Sequence, residues 1–190
     1  MRKLVYYVAA TADGFIAGPE GQFDFLLFES DIQAMIITEL PETLPGPARV
    51  AMGIDDVANQ RFDAVVMGRG TYEPGLAAGM TSPYPQLRQY VFSRTLAQLD
   101  PAVQVVATDP AEFVRQLKQD DGRDIWLCGG ATLAAELLDE IDELIIKRNP
   151  IVIGAGIPLF RGPFVPTKLV LAGARPLSES GVVIETYVRS

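Results

Sequence analysis

The feature that most constrains the fold is a set of short apolar runs with no polar alternation: "LVYYVAA" at residues 4–10, "AVVMG" at 64–68 and "IWLCG" at 125–129. A strand wet on one face alternates apolar and polar residues, whereas a strand covered on both faces does not. The runs therefore predict a sheet with helices on either side. The first strand is expected over Lys3 to Ala10, followed by others at Ala64 to Met67, Gln89 to Phe92, Val103 to Ala107 and in "DIWLC". "DELIIKRNPIVIG" reads as a further strand interrupted at Pro150, and "KLVLAGARPLSESGVVIETYVR" as a closing hairpin of two alternating strands around a Ser/Glu/Gly turn.

Helical segments lie between these runs. Asp31 to Glu39 places Ile32, Met35, Ile36 and Leu40 at helical spacing. In "TDPAEFVRQLKQ", Asp109 or Thr108 can cap the free N–H groups, and Pro110 occupies the first turn, where a missing N–H costs nothing. "ATLAAELLDE" presents Leu133, Leu137 and Leu138 to a sheet. "LPETLPGPARVAMG", with three prolines in seven residues, reads as an irregular excursion, "DDVANQRF" as a short helix or turn, and Gly68 to Pro85 as a loop rich in Gly and Pro. The expected fold is α/β, one domain over residues 1–190, with a mainly parallel central sheet flanked by helices and an antiparallel C-terminal hairpin. No internal repeat, low-complexity tract or linker interrupts it.

Charge and composition narrow the function. A formal charge of −8 and a pI near 4.6 disfavour a general nucleic-acid or anionic-membrane surface, so any phosphate must be held by a local cluster. The single cysteine, Cys128, allows no internal disulfide and predicts a reducing, cytoplasmic setting. The chain contains no histidine, which removes Ser-His-Asp, Cys-His and His-ligated metal schemes together, and the acidic residues show no spacing for a metal site. The start, "MRKLVYYVAATADGF", has two basic residues before an apolar run, but that run is too short for a secretion signal or a membrane span.

Two strand ends carry glycine, "VVMGRGT" and "WLCGGAT". Each can be a tight turn or a cradle for an anionic ligand. In an open α/β sheet, ligands collect at the carboxyl ends of strands, where helix N-termini offer free N–H groups and glycine lets a phosphate approach the backbone. The dinucleotide fingerprint G-x-G-x-x-G is absent from the first turn, "TADGFIAG", and no Walker pattern occurs.

The ordered motifs "AATADGFIAG", "VVMGRGTYE", "YVFSR", "IWLCGGATLAAELL" and "DELIIKRNPIVIGAGIPLF" resemble the dihydrofolate reductase superfamily. Within it they resemble the branch related to the reductase domain of the bifunctional riboflavin-pathway deaminase-reductase. The resemblance covers nearly the whole chain and implies an NADPH-dependent reductase that pairs as a homodimer. Position by position, Ala9 and Ile16 match the residues whose backbone holds the nicotinamide carboxamide. Gly68, Arg69 and Thr71 match the phosphate-binding turn and helix start, with Tyr72 following. Ser93 and Arg94 match the pair at the adenosine 2′-phosphate, and Gly129, Gly130, Ala131 and Thr132 match the turn under the pyrophosphate. Two arginines at strand ends of an acidic chain suit a phosphorylated ligand, since guanidinium meets phosphate with paired hydrogen bonds.

Reduction also needs a proton source near the acceptor. The superfamily places a carboxylate on its first helix, and Asp24 and Glu29 are the candidates here. Cys128, with no base in its neighbourhood of sequence, reads as small apolar packing rather than a catalytic thiolate. The expected activity is hydride transfer to a small heterocyclic or imine-type substrate. Alternatives are a free-standing reductase of the riboflavin precursor or of a pterin, and a nucleotide-binding protein without turnover.

Overall fold

In the computed structural model, which describes residues 1–190, an eight-stranded sheet runs through the chain in the order β5-β4-β3-β6-β1-β7-β10-β9. The strands are β1 (Leu4–Thr11), β3 (Phe62–Gly68), β4 (Arg88–Phe92), β5 (Val103–Val106), β6 (Asp124–Gly129), β7 (Ile141–Asn149), β9 (Leu169–Pro176) and β10 (Val183–Arg189). The first six in spatial order are parallel, while β10 pairs antiparallel with both β7 and β9. Two short strands, β2 (Phe15–Ala17) and β8 (Ile157–Pro158), make a separate antiparallel pair.

The apolar runs are buried on both faces, as a doubly covered sheet requires. Val5, Tyr7, Val65, Met67, Trp126 and Ile145 belong to one core, and Leu4, Tyr6, Ala64, Val66, Ile125, Leu127 and Ile146 to the other. Helices α1 (Ser30–Glu39) and α3 (Arg69–Ala77) contribute Ile32, Met35, Ile36 and Tyr72 to the first core. Helices α4 (Pro110–Leu117) and α5 (Ala131–Glu136) contribute Val114, Leu117, Leu133 and Ala134 to the second. Asp109 caps α4 as the sequence suggests, its side chain accepting from Glu112 N at 2.9 Å.

Three local expectations change. The proline-rich excursion is ordered, with a 3₁₀ turn at Pro41–Thr43 and helix α2 at Gly46–Ala51. Pro41 and Pro47 fall in first turns and Pro45 is the N-cap of α2, positions where no N–H is needed, and buried polar groups tie the segment down. Glu42 accepts from the backbone N–H groups of Gln60, Arg61 and Phe62, and Arg49 donates to the carbonyls of Pro41 and Val57. The stretch after Gly68 is a helix, α3, despite Pro74 inside it. Burial of Tyr72, whose hydroxyl donates to Thr81 O, outweighs the lost backbone bond. Conversely α5 stops at Glu136, short of the expected Glu140.

The hairpin partner β9 is an edge with neither face covered: every residue from Val170 to Pro176 is exposed. No helix is long and apolar enough to cross a membrane.

Candidate active site

The carboxyl ends of the neighbouring parallel strands β3, β6, β1 and β7 open into one cleft of about 890 Å³. That volume lies near the upper end of what small-molecule and cofactor sites occupy. One half is built by the two glycine-bearing strand ends. Strand β3 ends at Gly68 and leads directly into α3, while β6 ends at Gly129 and, through Gly130, leads into α5. Gly129 and Gly130 have φ of 155° and 106°, backbone that side-chain-bearing residues rarely adopt. A Cβ placed on Gly130 would lie 3.5 Å from Thr71 Oγ1 and 3.7 Å from Gly68 Cα, so the two turns abut and share a floor. Gly68, Arg69, Gly70, Thr71, Gly129, Gly130, Ala131 and Thr132 all line this half.

Arg69 is exposed and currently engaged, its Nε donating to Glu73 at 2.7 Å and its Nη1 to Thr95 Oγ1 at 3.0 Å. The second bond links it to the turn that follows β4. There Ser93 lies outside the cleft lining, its hydroxyl accepting from Thr95 N at 3.3 Å and Leu96 N at 3.0 Å, and Arg94 is exposed beside it. The Arg69–Thr95 bond thus sets Arg69 beside the Ser93-Arg94 turn although 24 to 25 residues separate them in sequence; like Ser93, Arg94 does not line the cleft. Tyr72 lines the cleft from the core side rather than offering its hydroxyl, which is already bound to Thr81.

The other half is aromatic. Ala9, Ile16, Tyr7, Tyr84, Trp126, Cys128 and Lys147 line it. Trp126 is locked by its Nε1–H donating to Tyr7 O at 3.0 Å, and its ring meets Tyr84 edge-on at 5.0 Å. The Tyr84 hydroxyl lies 3.8 Å from Cys128 Sγ. Burial pushes the Cys128 thiol up to about 12, so it is a neutral thiol at physiological pH and not a nucleophilic thiolate. Burial likewise raises the phenols of Tyr7 and Tyr84.

Asp24 and Glu29 are not brought into the cleft. Both are exposed, and from the same segment it is Phe23, Leu26 and Phe28 that line the cavity. The inward positions are taken by apolar side chains, which leaves the carboxylates in water; Glu29 sits at the start of α1 without a capping bond. The residue that sequence reasoning missed is Lys147. It lies in the middle of "IIKRNP", with no motif around it, and only its register beside Ala9 of β1 places it in the cleft.

Residues 2–183 match the RibD C-terminal domain family. The chain belongs to that family. It is 34% identical over 193 residues to the uncharacterized protein YwjB of Bacillus subtilis (strain 168), covering 100% of this chain and 99% of the relative. The uncharacterized protein YyaP of the same organism is 29% identical over 199 residues, covering 98% and 94%. Among solved structures, a riboflavin biosynthesis protein assigned in Shewanella sp. PV-4 superposes with a TM-score of 0.71 at 22% identity, over 100% of this chain and 99% of that one. Dihydrofolate reductase from Enterococcus faecalis, solved with NADP(H), superposes with a TM-score of 0.63 at 18% identity, over 99% and 96%. The fold is therefore dihydrofolate-reductase-like, as the ordered motifs imply.

Proposed function

We propose that this protein is an NADPH-dependent reductase acting on a small heterocyclic or imine-type acceptor. The observation that carries the reading is the Gly129-Gly130 turn: two consecutive glycines in backbone that excludes other residues, packed on the Gly68–Thr71 turn at the carboxyl ends of adjacent strands. A Cβ there would stand on the face that a pyrophosphate needs. The charge agrees, because in a chain of net charge −8 the cleft lining carries three cations, Arg69, Lys147 and Arg161, against one carboxylate, Glu136.

The residues present fit a dinucleotide. Gly68, Arg69, Thr71 and the Gly129–Thr132 turn would hold its phosphates, with Ser93 and Arg94 at the 2′-phosphate and the backbone of Ala9 and Ile16 at the nicotinamide carboxamide. When bound, the dihydronicotinamide supplies a hydride. The chain's own part is to bind and orient: Tyr7, Trp126 and Tyr84 form a fixed aromatic wall, and Phe23, Leu26 and Phe28 add apolar lining. Neutral Cys128 adds an apolar contact and no chemistry of its own.

Family membership supports a second, narrower reading, a free-standing reductase of the riboflavin precursor 5-amino-6-(5-phosphoribosylamino)uracil or of a pterin. NADPH consumption over a panel of that uracil, pterins, pyrimidines and small carbonyl compounds distinguishes the readings. Tight NADPH binding without consumption on any of them would instead identify a nucleotide-binding protein. A homodimer is proposed with it, supported by the uncovered β9 edge, where Val170 and Leu171 are 45% and 55% exposed.

A further inference from the structure

Buried and half-buried cations in this protein have partners, with one exception. Arg2 pairs with Asp63, Arg61 with Glu143 at 2.7 Å, Lys118 with Asp142 at 2.6 Å and Arg148 with Glu185 at 3.0 Å, while Arg49 donates to backbone carbonyls. Lys147, only partly exposed, has no side-chain hydrogen bond and no ion pair among these interactions; its Nζ lies over the face of the Tyr7 ring, 4.7 Å from the centroid, with the neutral Cys128 thiol also nearby. A partly desolvated ammonium without a counter-charge is costly, and such residues concentrate where a ligand completes them.

Its surroundings show what that ligand must supply. Tyr7 of β1, Cys128 of β6 and Tyr84 are the other titratable groups lining this half of the cleft, and burial keeps all three neutral around pH 7. The single lining carboxylate, Glu136, is on α5 in the phosphate half, beside which Arg161 is fixed by its backbone N–H on Ala131 O at 2.9 Å. The aromatic half therefore carries one charge, and it is positive.

We propose that Lys147 anchors the acceptor through an electronegative atom, so that this half of the cleft takes planar neutral or anionic molecules and rejects cationic ones. The proposal rests on the reductase reading above and names the class of acceptor for the same site. An ammonium bonded to a carbonyl oxygen or imine nitrogen draws electron density from the adjoining carbon and stabilises the negative charge that develops as the carbon is reduced. Tyr7 beneath it holds the ammonium in place without neutralising it.

Benzoate, benzamide and benzamidine test this, being planar, nearly isosteric and charged −1, 0 and +1. Calorimetric titration of the full chain at saturating NADP⁺ and pH 7 is expected to show benzoate binding at least tenfold more tightly than benzamidine. The preference is lost in Lys147→Met, retained in Lys147→Arg, and fades for the wild type as pH rises through about 8, where burial has lowered the ammonium. Benzamidine binding as well as benzoate, or an unchanged benzoate preference in Lys147→Met, overturns the assignment. The same proteins are titrated with NADPH by Trp126 fluorescence. Failure of the wild type to bind NADPH overturns the reductase reading and the acceptor role with it, whereas NADPH binding without charge selection overturns Lys147 alone.

Discussion

Gly130→Ala separates the two things the Gly-Gly turn is asked to do. Gly130 sits at φ 106° and ψ 106° at the head of α5, and a side-chain-bearing residue held in such a region costs about 1–3 kcal/mol. Sterics add little, because the new Cβ would find Thr71 Oγ1 at 3.5 Å, Leu133 Cβ at 3.6 Å and Gly68 Cα at 3.7 Å, all ordinary contacts. For a chain of this length 1 kcal/mol moves the melting temperature by about 2–4 °C, so the ligand-free variant is expected to melt roughly 2–12 °C below the wild type. NADPH at a hundred times its Kd stabilises the wild type by about 2.7 kcal/mol. That increment should vanish in the variant under the proposed binding mode, in which the pyrophosphate lies against the Gly129-Gly130 backbone. Gly70→Ala is the control: it lines the same cleft in ordinary helical backbone with nothing within 4 Å of its Cβ, and the substitution is expected to stabilise the ligand-free protein by up to about 1 kcal/mol. Scanning fluorimetry of the three proteins with and without NADPH reads all six melting temperatures. A Gly130→Ala protein that melts with the wild type refutes the strain argument, and one that melts early yet keeps the full NADPH shift refutes the cradle.

Four further outcomes are expected. Replacing Arg94 by Ala should weaken NADPH binding about tenfold, or about 1.4 kcal/mol, and leave NADH nearly unchanged, whereas Arg69→Ala should weaken both cofactors; equal losses for both cofactors in the Arg94 variant would remove that residue from the 2′-phosphate. Arg69→Ala should leave the melting temperature almost unmoved, since its pair with Glu73 is an exposed i,i+4 contact. Light scattering should give a dimer mass at micromolar concentration, and a monomer of 20.6 kDa would refute pairing through the β9 edge. Lys147→Met should stabilise the fold at neutral pH: burial lowers the ammonium from 10.5 to about 8, a penalty of at most about 3 kcal/mol and less where water enters the cleft. Below pH 8 both folded and unfolded states hold the proton and the penalty is complete; between about 8 and 10.5 the folded state releases it first, so the wild type should approach the variant as pH rises. A stability difference that stays constant with pH across that window would contradict the shift.

The sequence by itself determined the parts of this protein whose causes are local. Uninterrupted apolar runs at 4–10, 64–68 and 125–129 specify strands covered on both faces, because no polar alternation leaves a wet side. Asp109 with Pro110 specifies the start of α4, and Gly129-Gly130 marks backbone that other residues cannot adopt. With the ordered motifs, these signals were enough to anticipate the fold and the two glycine-bearing strand ends that line the cleft. What only the tertiary structure decided depends on partners distant in sequence. Pro74 argues against a helix until Tyr72 is seen buried in the core, and Asp24 and Glu29 look like candidate acids until Phe23, Leu26 and Phe28 take the inward positions. Lys147 carries no local mark. It becomes the lone charge of the aromatic half because β7 pairs beside β1 with Lys147 opposite Ala9, which sets its side chain over Tyr7 and in the same cavity as Cys128; a shift of one residue would have turned it to the other face and put Arg148 in its place.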